Sequence, residues 1–185
     1  MLKSYVELKK EIHKLSEKSR TAACIELVGI MNEIMAEHKI RPILTGGLAV
    51  EIYTRCGYYF EEIDLMVQKG GLLKSVLDKL GFENVSPYWY IKETDAGLEI
   101  LDVEPEISQE RLSHIKLNSG REIYVLGFED LILSRLKCYY QYRNNSDYDW
   151  AYRIYKIHRD DIDIDYLLEK AMNLDKGALP MISKW

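Results

Sequence analysis

Two glycines at the start of a predicted helix are the first residues whose type and spacing suggest chemistry. Gly46 and Gly47 follow the short predicted strand 43–45 and precede a helical pattern over 48–55. Adjacent glycines permit a tight turn and leave no side chain between the backbone and a ligand. Free N–H groups and the positive end of the helix dipole would face the same point, which suits a phosphate. The sequence therefore predicts a phosphate site at Thr45, Gly46 and Gly47, the alternative being an ordinary strand-to-helix turn.

A pair of acids, Glu62 and Asp64, lies two residues apart at the beginning of the next predicted strand, 63–67. Alternation along a strand places both carboxylates on one face, with Cα atoms about 6.6 Å apart. Two such charges repel each other unless a cation lies between them. Oxygen ligands suit Mg²⁺ or Mn²⁺, which would share its coordination shell with substrate phosphates. The alternative is a solvated face on an edge strand.

A third acid is present on a later apolar strand, predicted over 98–103. Asp102 is our first choice for it, either as a further metal ligand or as a general base. Glu99 and Glu104 flank it, and a register error of one residue exchanges the two faces of a strand. The sequence therefore leaves open which of the three acids, Glu99, Asp102 or Glu104, completes the site.

The elements around these residues predict an α+β fold, a small mixed β-sheet flanked by helices. Helices are expected over 3–38 and a helical tail from 128 onward, with a composition shift near residue 127. We therefore expect an α/β domain at 1–126 and a helical region at 127–185 packed on it. The remaining predicted elements are strand 43–45, helix 48–55, strand 63–67, helix 72–80, strands 88–92 and 98–103, and a hairpin over 116–125.

Composition excludes several classes of function. The chain has 185 residues and a formal net charge of −5, which argues against broad nucleic-acid binding. Three cysteines, far apart and without a CxxC pair, suit a reducing compartment. No stretch approaches ~18 apolar residues, so neither a membrane span nor membrane association is expected. The expectation is a cytoplasmic protein, and a partner protein or a homodimer is compatible with this.

The pattern resembles the nucleotidyltransferase superfamily with its polymerase-β-like fold, over about residues 40–155. The resemblance is closest to the uncharacterised, AbiEii-toxin-like branch, and lincosamide-type antibiotic nucleotidyltransferases have a similar layout. The family motif is a Gly-Gly or Gly-Ser pair at a helix start, an acidic pair on the next strand and a third acid later. The matching positions are Gly46-Gly47, Glu62-Ile63-Asp64 and Asp102, with a looser match over 125–137 and at Arg143, Asp147 and Asp149.

This resemblance implies a metal-dependent transfer of an NMP group from NTP to a hydroxyl on a small molecule, a protein or RNA. Glu62, Asp64 and Asp102 would be the catalytic and metal-binding residues, and Asp102 would activate the acceptor. Lys137 would neutralise triphosphate charge. Glu62 stands where the family usually has Asp, and Tyr59-Phe60-Glu61 replaces an Arg-x-Thr segment. Both differences favour the alternative, a catalytically degenerate protein that binds a nucleotide or a partner, for example in a toxin–antitoxin system.

Overall fold

The computed structural model describes residues 3–103, 111–173 and 178–185, which form helices and one mixed sheet. The helices are α1 (Tyr5–His13), α2 (Arg20–Ala36), α3 (Gly46–Thr54), α4 (Gly70–Leu80), α5 (Phe128–Tyr142), α6 (Asn145–Ile157), α7 (Ile164–Asn173) and α8 (Ala178–Ile182). The strands are β1 (Ile43–Thr45), β2 (Glu62–Val67), β3 (Glu83–Val85), β4 (Tyr88–Ile91), β5 (Ala96–Asp102), β6 (Ser113–Lys116) and β7 (Glu122–Val125). The predicted α+β fold class is confirmed.

The described strands form a sheet in the order β3-β4-β5-β2-β1-β7-β6. Its centre is β2, which pairs antiparallel with β1 and parallel with β5. A parallel neighbour requires a crossover connection, and here α4 and the β3–β4 hairpin lie between β2 and β5 in sequence. The central strand is therefore paired on both sides, which contradicts the alternative of an edge strand for Glu62 and Asp64.

The alternation along β2 separates an apolar face from a polar face. Ile63, Leu65 and Val67 are fully buried, whereas Glu62 and Asp64 are half-buried. On β5 the buried residues Leu98 and Ile100 pair with Ile63 and Leu65, so they continue the same apolar face. Burial of a Leu or Ile side chain contributes about 1.5–3 kcal/mol, so this apolar face determines the orientation of both strands.

The long helix α2 is covered on most of its sides. The six consecutive residues 27–32 are all buried, and because consecutive residues in a helix lie about 100° apart they cover its whole circumference. A helix that is apolar on nearly all sides is stable only when other elements cover it. The amphipathic helix α1 precedes it and begins with a capping box between Ser4 and the Glu7 side chain and backbone.

An ion-pair network joins α1 and α2 to the β6–β7 hairpin. The Arg121 guanidinium binds Glu11 of α1, and it lies 2.7 Å from Glu33 and 3.6 Å from Glu26 of α2. Lys3 contacts Glu11 and Glu33 from the N-terminal side. Burial opposes the charged form of Glu33, but hydrogen bonds from Arg121 and Lys3 outweigh it and hold the pKa of this carboxyl below its ordinary value.

Contacts divide the chain into two compact units, residues 1–48 with 59–125 and residues 49–58 with 126–185. All the described strands belong to the first unit. In the second unit, Tyr53 of α3 donates a hydrogen bond to the Leu126 carbonyl at 2.7 Å, and its ring packs against Phe128. Residues 49–58, which we expected in the α/β domain, therefore group with the helical region.

Within the second unit, α5 and α6 are joined by a largely buried ion pair between Arg135 and Asp147 at 3.3 Å. Burial raises the pKa of the Asp147 carboxyl, and the nearby Arg135 charge opposes that shift. Further along the chain, Trp185 packs against tyrosines of α6 and donates a hydrogen bond to the Tyr148 hydroxyl at 3.0 Å. Among the described helices, none is long and apolar enough to cross a membrane.

We expect Arg121→Met to lower the free energy of unfolding by about 1–2 kcal/mol at neutral pH, because Glu11, Glu26 and Glu33 would then face one another without their shared cation. The pKa of Glu33 is lowered in the fold. Its contribution is therefore present above the unfolded carboxyl pKa of about 4.3 and is lost as the pH falls through the folded value. Urea denaturation of the wild-type chain and of Arg121→Met should show that the difference in their free energies of unfolding shrinks below about pH 4.

The control is Arg159→Met, which removes an exposed arginine and should change the free energy of unfolding by less than about 0.5 kcal/mol. An equal loss in both variants, or a loss from Arg121→Met that does not depend on pH, would contradict a structural role for this network.

Candidate active site

The carboxylate of Asp64 lies directly against the first residue of α3. A Cβ atom built on Gly46 would overlap Asp64 Oδ2 and would come within 2.6 Å of its Cγ. Gly46 also has φ +66°, a left-handed conformation that disfavours side chains. Both constraints require glycine at this position. The chain therefore passes from β1 into α3 with no intervening residue, and the beginning of the helix contacts an acid.

A row of four side chains crosses the polar face of the sheet at the level of Asp64. Thr45 of β1 pairs with Asp64, Asp64 pairs with Glu99 of β5, and Glu99 pairs with Tyr88 of β4. Because paired residues in a sheet project to the same face, the four side chains are neighbours, with strands about 4.8 Å apart. Asp64 is therefore adjacent to Glu99, with Thr45 on its other side.

A second row lies one step along the same face. Glu62 of β2 pairs with Gly97 of β5, and Gly97 pairs with Tyr90 of β4. A Cβ atom built on Gly97 would lie 3.1 Å from Cε1 of Tyr90, so the ring of Tyr90 covers this glycine. Glu62 thus faces a tyrosine ring across a position that has no side chain of its own.

The negative charges on this face act on one of its tyrosines. The carboxylates of Glu62 and Glu99 hold the pKa of the Tyr88 phenol above its ordinary value, with smaller contributions from burial, Tyr90 and Asp64. A phenol resists ionisation where negative charge already lies nearby. The three carboxylates therefore concentrate negative potential at one place on the sheet.

Asp102 lies on the other face of the sheet, away from this group. It pairs with Val67, and its Oδ1 accepts a hydrogen bond from the backbone N–H of Gly70 at 2.7 Å. Its other oxygen lies 3.5 Å from Lys74 Nζ. A carboxylate at the first turn of α4 complements the helix dipole, so Asp102 stabilises that helix.

This position corrects our preference for Asp102 as the third acid, because the register brings Glu99 beside Asp64 instead. The choice of the third acid depends on the face of β5 that each acid occupies. Glu99 shares the face of Gly97, which pairs with Glu62, whereas Asp102 pairs with Val67 on the opposite face. Glu104, the remaining alternative, lies outside the described residues.

The remaining predicted site residues occupy two places. Gly47 follows Gly46 in the first turn of α3, and Thr45, which is 7% exposed at the end of β1, pairs with Asp64. Lys137 is exposed on α5, which belongs to the second unit. Its predicted contact with triphosphate stays a prediction.

The donor set suits a hard divalent cation. Within residues 3–103, 111–173 and 178–185, no three His, Cys, Asp or Glu side chains converge closely enough to form a complete metal cage. Mg²⁺ does not need one, because it is usually bound by one or two carboxylates together with substrate phosphates and water. Asp64 with Glu62 or Glu99 supplies such a set, and Gly46 and Gly47 beside it carry no side chain that would cover the backbone at the start of α3.

Arg20 at the start of α2 positions the backbone around the site, a role that the sequence did not reveal. Its guanidinium donates hydrogen bonds to the carbonyls of Phe60 at 2.6 Å and Asp95 at 3.1 Å. These carbonyls lie just before β2 and β5, so one side chain holds the beginnings of both acid-bearing strands. The guanidinium also stacks on the Phe60 ring, 4.3 Å from its centroid. Contacts of this kind, made to backbone carbonyls, leave no spacing signal in the sequence.

Comparison with known proteins identifies the fold. No protein-family model matches the sequence, and no curated protein matches it. The structure is similar to an antigenic nucleotidyltransferase-like protein from Paracoccidioides brasiliensis, with a TM-score of 0.58 and 12% identity over 86% of this chain and 92% of that one. It is also similar to the antibiotic-resistance factor ANT(2'')-Ia, with a TM-score of 0.51 and 14% identity over 84% and 99%. The predicted resemblance to the nucleotidyltransferase superfamily is confirmed at the level of fold, and the AbiEii-toxin-like branch stays a prediction.

We expect Gly46→Ala to displace the Asp64 carboxylate, because the added methyl group would occupy its space. The left-handed backbone adds strain of about 1–2 kcal/mol. Gly120→Ala is the matched control, since Gly120 has φ +85° and a Cβ atom there would meet no other atom within 4 Å. Urea denaturation should therefore show a larger loss of stability for Gly46→Ala than for Gly120→Ala.

The double variant Gly46→Ala with Asp64→Ala separates the two causes. Removal of the carboxylate should recover the part of the loss that comes from overlap and leave the part that comes from backbone strain. Additive losses in the double variant would show that Gly46 and Asp64 do not interact.

Proposed function

We propose that this chain, which has the nucleotidyltransferase-like fold, transfers an NMP group from NTP to a hydroxyl acceptor with the help of a divalent cation. The observation that carries the proposal is the contact between the Asp64 carboxylate and Gly46 at the start of α3. A phosphate bound at this helix start would lie next to an acid that can hold a metal ion. The fold by itself would not support the activity without this arrangement.

The phosphate side of the site consists of backbone. Gly46 and Gly47 present the N–H groups and the positive end of the dipole of α3, which has nine residues. No side chain on either glycine competes with a ligand. Thr45 precedes them at the end of β1, where its hydroxyl is a further donor for a phosphate oxygen. Together these residues would bind and orient the triphosphate.

The metal side of the site consists of acids on the polar face. Asp64, with Glu62, would hold Mg²⁺ or Mn²⁺ together with substrate phosphates and water. The bound cation would supply charge stabilisation for the attacking and leaving oxygens. The longer side chain of Glu62 projects from the same face, two residues before Asp64 on β2. Its substitution for the family's usual Asp is therefore compatible with ligation.

Glu99 is the residue that we propose as general base. The acceptor hydroxyl oxygen forms a bond to the α-phosphorus, and its proton passes to the Glu99 carboxylate. The bond from the α-phosphorus to the bridging oxygen breaks, and pyrophosphate leaves with its electron pair. Two observations support this role for Glu99: it is adjacent to Asp64 and half-buried, whereas Asp102 caps α4 on the other face.

The degenerate alternative, which binds a nucleotide or a partner without turnover, makes a different prediction for the same residues. In that case NTP binding would depend on Asp64, but no pyrophosphate would be released. A toxin–antitoxin role, a cytoplasmic location and a homodimer remain predictions.

We expect Asp64→Asn to abolish pyrophosphate release and Glu99→Gln to reduce it about 10²–10⁴-fold, since removal of a general base has effects of that size. Asp102→Asn should retain activity, because Asp102 lies on the opposite face, and should affect only the stability of α4. The measurement is pyrophosphate release from each NTP with Mg²⁺ or Mn²⁺, in the presence of small hydroxyl compounds and RNA.

Three results would decide against the proposal. Turnover that persists in Asp64→Asn would exclude the metal role of this acid. A larger loss in Asp102→Asn than in Glu99→Gln would return the base role to Asp102. Calorimetry that detects tight NTP binding in a protein without turnover would favour the degenerate alternative.

A further inference from the structure

The sheet order determines the side from which the acceptor must arrive, on the premise that the proposed transfer is correct. In phosphoryl transfer the attacking and leaving oxygens lie roughly in line on opposite sides of the phosphorus. The leaving pyrophosphate would lie at Gly46 and Gly47, which are on the β1 side of Asp64. The attacking hydroxyl must then come from the other side, where β5 and β4 lie.

Two tyrosines occupy that side of the polar face. Tyr88 and Tyr90 alternate with Trp89, which is 5% exposed, so both rings project from the same face as Glu62 and Glu99. Their ring centroids are 6.1 Å apart at an interplanar angle of 63°. Tyr90 is 40% exposed, so a ligand in solution can reach its ring.

The absence of a side chain at Gly97 gives these rings access to the acids. A Cβ atom there would lie 3.1 Å from the Tyr90 ring and 3.3 Å from Cβ of Tyr88. The ring of Tyr90 therefore covers the backbone of β5 directly beside Glu62, and Tyr88 lies beside Glu99. The strands β4 and β5 lie about 4.8 Å apart, so a molecule that contacts both rings can reach the Glu99 carboxylate on the neighbouring strand.

We infer that Tyr88 and Tyr90 form the acceptor surface, and that the acceptor is a small ring-bearing hydroxyl compound without negative charge. The ring of the acceptor packs on Tyr90, and one hydroxyl reaches Glu99. The three carboxylates of the face repel an anionic acceptor, whereas tyrosine faces and carboxylates both attract a cation. Tyr88 and Tyr90 thus determine specificity and take no part in the making or breaking of bonds.

Binding measurements with three matched probes test this inference. Glucosamine, glucose and glucose 6-phosphate share a ring and differ in charge. Each is titrated into the full chain saturated with Mg²⁺ and the α,β-methylene analogue of the NTP that binds best, and the ¹³C-labelled tyrosine rings are followed by NMR. Glucosamine should perturb the rings of Tyr88 and Tyr90 most, and glucose 6-phosphate least.

Ring removal should weaken this binding selectively. Tyr90→Ala should raise the Kd of glucosamine about tenfold, the size expected for a lost aromatic contact to a cation, and Tyr90→Phe should restore it. Tyr5→Ala is the matched control, since Tyr5 is a similarly exposed tyrosine, 38% exposed, on α1 of the same unit. The affinity for the NTP analogue should be the same in all three variants.

The outcomes separate this inference from the proposed function. If no NTP analogue binds to the wild-type chain, both are overturned. If the analogue binds but none of the three probes perturbs Tyr88 or Tyr90, the acceptor surface is wrong and the nucleotide site stands. Equal losses in Tyr90→Ala and Tyr5→Ala overturn the acceptor surface, and preferred binding of glucose 6-phosphate overturns its charge preference.

Discussion

The parallel pairing of β2 with β5 is the constraint on which the candidate site depends. It places Asp64 opposite Glu99 and leaves Asp102 on the other face. A slip of one residue would exchange the faces of β5 and bring an apolar side chain beside Asp64. The apolar face prevents that slip, because Leu98 and Ile100 would then lose their burial. The hydrophobic core therefore decides which acid stands in the site, although no core residue takes part in its chemistry.

The polar face combines groups that are costly to place together. Carboxylates on neighbouring strands repel each other, and their effect reaches the Tyr88 phenol. A purely structural sheet would gain stability from neutral side chains at these positions. Here the Asp64 carboxylate packs directly against Gly46 at the start of α3. This contact distinguishes a candidate site from a solvated strand face.

The supporting residues act through the backbone or through other side chains of the fold. Arg20 holds the carbonyls that precede β2 and β5, and Asp102 holds the first N–H of α4. The Arg121 network joins the N-terminal helices to the β6–β7 hairpin at one end of the sheet order. Each of these contacts positions an element rather than a substrate. Asp102 therefore has a structural role, although its place in the sequence resembles that of the family's third acid.

The sequence by itself determined the local features. Gly46-Gly47, the alternation of Glu62 and Asp64, and most helices and strands follow from neighbours in the chain. It did not predict β3, whose three residues are all exposed and carry no alternation of burial. Nor could it choose between Glu99 and Asp102, or find Arg20 and the tyrosine pair. The choice between the two acids depends on the register of β2 with β5, strands more than 30 residues apart, and packing of the apolar face in the tertiary structure determines that register. Arg20 and the tyrosine pair act through contacts with other elements, which no local pattern in the chain reveals.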